Sequence, residues 1–203
     1  MEERSPGPDG TGRGSAGTRP GGRLLRTVTL VGMMGSGKTA VGRALAARLG
    51  VRFVDSDEEI ERAAAASISE IFARDGEGFF RDREAEVIAR LLGGPAVVLS
   101  TGGGAFLAER NRRAISASGV AVWLDADLPL LWDRVRHKTT RPLLRTADPR
   151  ATLRALHAER TPVYALADLA VKADPAYAIE DMTDAVIRAL AARPDVLETR
   201  NAG

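Results

Sequence analysis

Apolar positions change their spacing repeatedly along this chain, and each change marks the edge of an element. Thr27-Val28-Thr29-Leu30-Val31 is a short β-branched and apolar run that predicts a strand. Beyond a glycine-rich break, Val41, Leu45 and Leu49 recur on one helical face, and Gly50 stands where a C-terminal cap belongs. Residues 51–54 read as a second strand that delivers Asp55 and Asp57 at its end. A short helix is predicted over 58–66, and Ser67-Ile68-Ser69-Glu70 has the form of a capping box opening the next. Asp75-Gly76 breaks the chain. Over 78–92, Phe79, Ile88 and Leu92 fall in a helical pattern, which Gly93-Gly94-Pro95 ends before a strand at 96–99.

That strand runs into Ser100-Thr101-Gly102-Gly103-Gly104. Another is predicted at 120–124, followed by a helix capped by Asp127, with Pro129 in its first turn and Leu131 and Val135 in its body. Residues 137–150 lose the apolar period, mix Arg, Lys and Thr with two prolines, and exceed an ordinary connection, which predicts a mobile lid. A helix over 151–167, a strand over 169–172 and a last helix carrying Ile179, Met182, Val186 and Leu190 complete the pattern. Five strands alternating with helices predict an α/β fold: a five-stranded parallel sheet between helical layers.

Composition trims this picture. With 203 residues and 44% hydrophobic content, one well-buried domain is expected, over 23–195, with a flexible C-terminus at 196–203. Residues 1–22 hold little large apolar surface to offset their ordering entropy and are expected to form a disordered tail. An organellar transit peptide is the rival reading, which Glu2, Glu3 and Asp9 oppose. The formal charge is +2, yet residues 1–26 hold five Arg against two Glu and one Asp, so the remainder is balanced. Without a basic surplus in its folded part, the chain is not expected to track nucleic acid. Absent cysteines exclude disulfides and thiolate metal sites, so a cytoplasmic setting is expected. No apolar run approaches the ~20 residues of a membrane span.

The glycine-rich break carries the first chemistry. Gly32-Met33-Met34-Gly35-Ser36-Gly37-Lys38-Thr39 fits the G-x-x-x-x-G-K-[ST] pattern between a strand and a helix. A polyphosphate needs many converging backbone N–H groups, and glycine lets the chain curl without a Cβ in the way. Lys38 adds a charge at the β- and γ-phosphates, Thr39 offers a hydroxyl to Mg²⁺, and the next helix presents its positive end. Ser36 and Ala40 belong to the same expected ATP contact. Asp55 and Asp57 stand at a strand's carboxyl end, where α/β sheets gather their ligands.

Taken with this loop, Asp55-Ser56-Asp57, Phe80-Arg81-x-x-Glu84, Gly102-Gly103-Gly104, Arg141-Pro142-Leu143-Leu144 and Arg160-x-Pro-x-Tyr164 resemble, in this order, the shikimate kinases. The resemblance implies a P-loop kinase fold related to the nucleoside monophosphate kinases. It also implies transfer of the γ-phosphoryl group of ATP to the 3-hydroxyl of shikimate, on the route to chorismate and aromatic amino acids. By the same resemblance, Asp55 is the magnesium-associated carboxylate and Asp57 receives the substrate hydroxyls, able to orient the attacking one and accept its proton. Arg81 and Arg160 grip the shikimate carboxylate through the guanidinium fork, with Glu84 holding Arg81. Gly102, Gly103 and Gly104 bring backbone amides to the substrate, and Arg141 of the lid folds over the phosphates.

Arg134 resembles the residue that stacks on adenine, with Arg136 and Lys138 as neighbouring alternatives, and the loop around Asp174-Pro175 is the other expected adenine contact. His137 and His157 do not assemble a zinc site, and Trp123 and Trp132 read as packing residues. A monomer binding ATP, shikimate and Mg²⁺ is expected. Two rivals share the loop: a kinase for a polyol acid such as gluconate, and a non-catalytic nucleotide-binding regulator.

Overall fold

The computed structural model describes residues 22–137, 142–144 and 146–199. The expected tail up to residue 21, Lys138 and Arg141 lie outside the described residues. The elements follow in chain order: β1 (Arg23–Leu24), β2 (Thr27–Val31), α1 (Lys38–Leu49), β3 (Phe53–Asp55), α2 (Ser56–Ala64), α3 (Ile68–Leu92) and β4 (Val98–Ser100). After a 3-10 turn at Ala105–Leu107 come α4 (Glu109–Ser118), β5 (Gly119–Asp125), α5 (Leu128–Val135), α6 (Pro149–Tyr164), β6 (Leu169–Lys172), α7 (Ile179–Ala191) and β7 (Leu197–Glu198).

The main sheet has five strands in the order β3-β4-β2-β5-β6, and every pairing in it is parallel. Its central strand β2 is buried along its whole length, which is why the sequence there reads as an unbroken apolar and β-branched run. From β2 the chain steps outward to β3 on one side and later to β5 on the other. The reversal opens a crevice at the carboxyl ends of the strands. The five-stranded parallel sheet expected from the alternation is the sheet observed.

Local signals explain the boundaries. Ser67 caps α3 in a reciprocal box with Glu70, and Asp148 caps α6 with Pro149 in its first turn. Gly76, at φ 82° and ψ 172°, divides α3 into two helical halves at the predicted break. Gly42 lets α1 approach the sheet closely, because a Cβ there would lie 2.6 Å from the Phe53 ring.

Beyond shifts at the edges of β3, α2 and β4, three features depart from expectation. The helix α4 was not legible: Glu109–Ser118 is rich in charge, and its buried side chains are only Asn111 and Ile115. Asn111 compensates for its burial by donating to the Ala105 carbonyl at 2.9 Å. Secondly, α6 starts at Pro149 and ends at Tyr164, against the expected 151–167. Thirdly, Leu197–Glu198, expected within a flexible C-terminus, pairs antiparallel with Arg23–Leu24. Val196 and Leu197 are buried with Leu24, so this end of the chain closes the core. Arg26 reinforces it, donating to the Ser116 and Ala117 carbonyls and to Asp195.

Candidate active site

Between β2 and α1 the chain turns through Gly35 (φ 82°) and Gly37 (φ 99°), both in the left-handed region that a Cβ disfavours. Gly35 is confined sterically as well, since a Cβ on it would lie 2.7 Å from Val135 Cγ1 of α5. Lys38, the first residue of α1, folds back over the loop and donates to the Gly32 and Met33 carbonyls at 2.8 and 3.0 Å. Arg134 reaches the loop from α5 and donates to the Gly35 and Ser36 carbonyls at 3.3 and 3.5 Å. The loop is thus held between two cations above the N-terminus of α1, an arrangement that receives polyphosphate.

A cavity of about 470 Å³ opens on this loop. Thr39 and Ala40 border it, and so do Asp55, Asp57, Gly102 and Gly103 at one end. Its other end is lined by Asp174, Tyr177, Ile179 and Met182, from the segment after β6 and the start of α7. Of the three basic residues weighed for the adenine side, Arg134 lines the cavity, Arg136 is exposed and pairs with Asp133, and Lys138 lies outside the described residues. Tyr177 was not named from sequence, although its loop was, and Ile179 was read only as part of the apolar face of the last helix, not as a cavity residue. Their signal is two large apolar side chains left about half exposed, at 40% and 46%, at the mouth of a cavity.

At the end of the cavity bordered by Gly102 and Gly103, each glycine of the triple backs onto a different polar side chain. A Cβ on Gly102 would lie 2.7 Å from Asp57 Oδ1, and one on Gly104 would lie 2.6 Å from Arg81 Nη2. One on Gly103 would stand 3.7 Å from both Arg160 Nη1 and Tyr164 Oη. Asp57 from α2, Arg81 from α3 and Arg160 from α6 therefore meet on one glycine turn after β4. Any larger residue at Gly102 or Gly104 would displace the partner.

Burial shapes the electrostatics here. Asp57 Oδ1 is shut off from solvent without a hydrogen-bond partner, and so are Glu84 Oε1 and Arg160 Nε. Burial, followed by the nearby Asp55, Glu84 and Glu61 carboxylates, pushes the Asp57 carboxyl up to about 6 against the opposing pull of Lys38. Glu84 is 1% exposed and accepts from Arg81 Nη1 at 2.8 Å. Its carboxyl is raised by burial, although Arg81 pulls the other way. Glu77 accepts from the Arg81 guanidinium at 3.2 and 3.3 Å, while Arg110 of α4 donates to the Arg81 carbonyl and to Asp82. Arg81 is therefore braced by two helices, and Arg110 is a support that the charge-rich sequence of α4 concealed.

Asp55 caps α2, accepting the Asp57 N–H at 3.0 Å. Thr39 and Asp55 offer hard oxygen donors on one cavity wall, and no group of three or more His, Asp or Glu converges on a metal among the described residues. So small a donor set suits Mg²⁺, which keeps waters and shares itself with phosphate oxygens. A second hollow, of about 390 Å³, lies between α2 and α3. Its rim arginines Arg74, Arg83 and Arg90 are already paired with Asp75, Glu86 and Glu59.

The shikimate kinase family model matches residues 34–191. Shikimate kinase of Ruegeria pomeroyi is 69% identical over 186 residues, which cover 91% of this chain and 95% of that protein. Shikimate kinase of Cereibacter sphaeroides is 66% identical, over 87% of this chain and 88% of its own. Among solved structures, shikimate kinase from Acinetobacter baumannii in complex with shikimate superposes with a TM-score of 0.78. It is 38% identical, and the match covers 83% of this chain and 94% of that one. The chain belongs to the shikimate kinase family.

Proposed function

We propose that this protein transfers the γ-phosphoryl group of ATP to the 3-hydroxyl of shikimate, forming shikimate 3-phosphate and ADP. The observation that carries the reading is the meeting of Asp57, Arg81 and Arg160 on the triple glycine, whose Gly102 and Gly103 line, with Asp57, the cavity that the phosphate loop borders. Two cations and a carboxylate around a backbone turn match a hydroxylated ring bearing one carboxylate.

Gly35, Ser36, Gly37 and Lys38 hold the polyphosphate, and Ala40 and Arg134 lie beside the nucleotide. Asp174, Tyr177, Ile179 and Met182 line the far end, where the adenine would lie. Arg81 and Arg160 receive the substrate carboxylate, with Glu84 keeping the Arg81 fork in place. Asp57 accepts a hydrogen bond from the attacking hydroxyl and takes its proton as the new O–P bond forms. Thr39 and Asp55 would hold Mg²⁺, which, when bound, neutralises charge on the β- and γ-phosphates. Arg141 is assigned to the phosphates from its place in the lid sequence. Acceleration comes chiefly from positioning and from charges set beforehand around the transferring group. One chain supplies every one of these residues, so a monomer suffices.

Acceptor preference tests this assignment. Shikimate should support phosphorylation far better than gluconate on one preparation, and a reversed preference would transfer the site to an acyclic polyol acid.

A further inference from the structure

Tyr164 closes α6 one helical turn after Arg160 and is 1% exposed, and its hydroxyl meets the Arg160 side chain as well as the glycine turn. It donates to the Gly103 carbonyl at 2.5 Å. Its ring stacks on Trp123 of β5, with centroids 6.3 Å apart and planes at 27°. Trp123 in turn flanks the start of the phosphate loop, its Cδ1 lying 3.3 Å from where a Cβ on Gly32 would stand. The same Gly32 gives its carbonyl to Lys38. A continuous run of contacts thus leads from the middle glycine of the acceptor turn to the lysine of the donor loop.

Within this run the hydroxyl has a local task. Gly103 has no side chain to fix its place, and Arg160 Nη1 stands as close to its Cβ position as Tyr164 Oη does, at 3.7 Å. The Tyr164 hydroxyl therefore ties the glycine turn directly to the helix that carries the Arg160 guanidinium. We propose that Tyr164 is a positioning residue for the acceptor: its hydroxyl pins Gly103 so that the glycine amides and Arg160 face the substrate at a fixed spacing. This rests on the proposed acceptor assignment. The hydroxyl touches no reacting atom, so its loss should act on acceptor binding and leave phosphoryl transfer at saturation largely intact.

The test is Tyr164→Phe, which keeps the ring, its stacking and the fold, compared with the parent protein in steady-state assays and in thermal melts. The expected result is a shikimate KM raised roughly 5- to 20-fold, with kcat and the ATP KM within about twofold of the parent, as for lost uniform binding. An unchanged shikimate KM, or a fall in kcat alone, overturns the proposal. So does a variant unfolded at the assay temperature, because it would make the hydroxyl a global support rather than a local pin. A parent protein inert toward shikimate overturns the functional reading itself and this proposal with it, whereas an active parent with an unaffected variant overturns only the role of Tyr164.

Discussion

A β-carbon on Gly102 would lie 2.7 Å from Oδ1 of Asp57. Real Cβ atoms do not come so close to an oxygen, so the carboxylate occupies its place only because residue 102 lacks a side chain. Gly102 has no left-handed backbone angle to add strain of its own, which makes Gly102→Ala a clean displacement of Asp57. The expected loss in kcat/KM for shikimate is about 100-fold, the scale of an ångström misplacement at a reacting centre. ATP affinity, measured by titration, should stay within about twofold. Equal losses for both substrates would show that the contact is general packing.

Asp57→Asn separates chemistry from stability. The folded carboxyl titrates near 6 against an ordinary 3.8, so the folded state holds its proton more tightly than the unfolded one. Stability contributed by that proton is complete below about pH 4 and is lost as pH rises through about 6. At pH 7 the parent therefore carries a penalty on the order of 1–3 kcal/mol that Asn does not. The variant should melt higher than the parent at pH 7, and the gap should close toward pH 4. Turnover should fall at least about 100-fold, as for loss of a positioned proton acceptor. A variant that is less stable at pH 7 would contradict the burial argument.

Glu84 tests how Arg81 is held. Its carboxylate is buried and accepts from Arg81 Nη1, so Glu84→Ala leaves a guanidinium without its inner partner. The expected cost is about 3 kcal/mol of stability in denaturant melts. Glu84→Gln should cost less and still raise the shikimate KM about tenfold, because a neutral amide holds the fork less firmly. Unchanged KM in both variants would reduce Glu84 to a packing residue.

On the donor side, Gly35 meets two constraints that a double mutant can divide. Gly35→Ala incurs strain at φ 82° and a clash with Val135 Cγ1. ATP affinity should drop about tenfold, roughly 1.4 kcal/mol. Adding Val135→Ala should recover the steric part and leave the backbone part. Full recovery would mean that the left-handed angle carries no cost.

The chain's end offers a stability test. Leu197 is 1% exposed and pairs with Leu24, so Leu197→Ala should lower unfolding free energy by about 2–4 kcal/mol. A loss under about 0.5 kcal/mol would restore the flexible C-terminus first expected.

These residues also show what the sequence could and could not reveal. The sheet was legible chiefly through β2, β4 and β5, which are buried on both faces and read as apolar runs between glycines and helical periods. The helix α4 was not, since its inward face consists of Asn111 and Ile115, and a buried amide carries no apolar signal. The β1–β7 pair escaped because two residues per strand are too short for a period. At the site, the phosphate loop and the residues Asp57, Arg81 and Arg160 could be named from motifs. Their matching to successive glycines required coordinates, for it depends on three helices meeting a single turn. The far end of the cavity was expected on the loop around Asp174-Pro175 without its residues, since Tyr177 and Ile179 look like ordinary apolar residues until a cavity is found beside them.

The central claim is tested most directly by ADP release from ATP and Mg²⁺, measured with and without shikimate. The account predicts slow release alone and a large, saturable increase on adding shikimate, with one ADP formed per phosphorylated acceptor. Release at the same rate in both cases would contradict it.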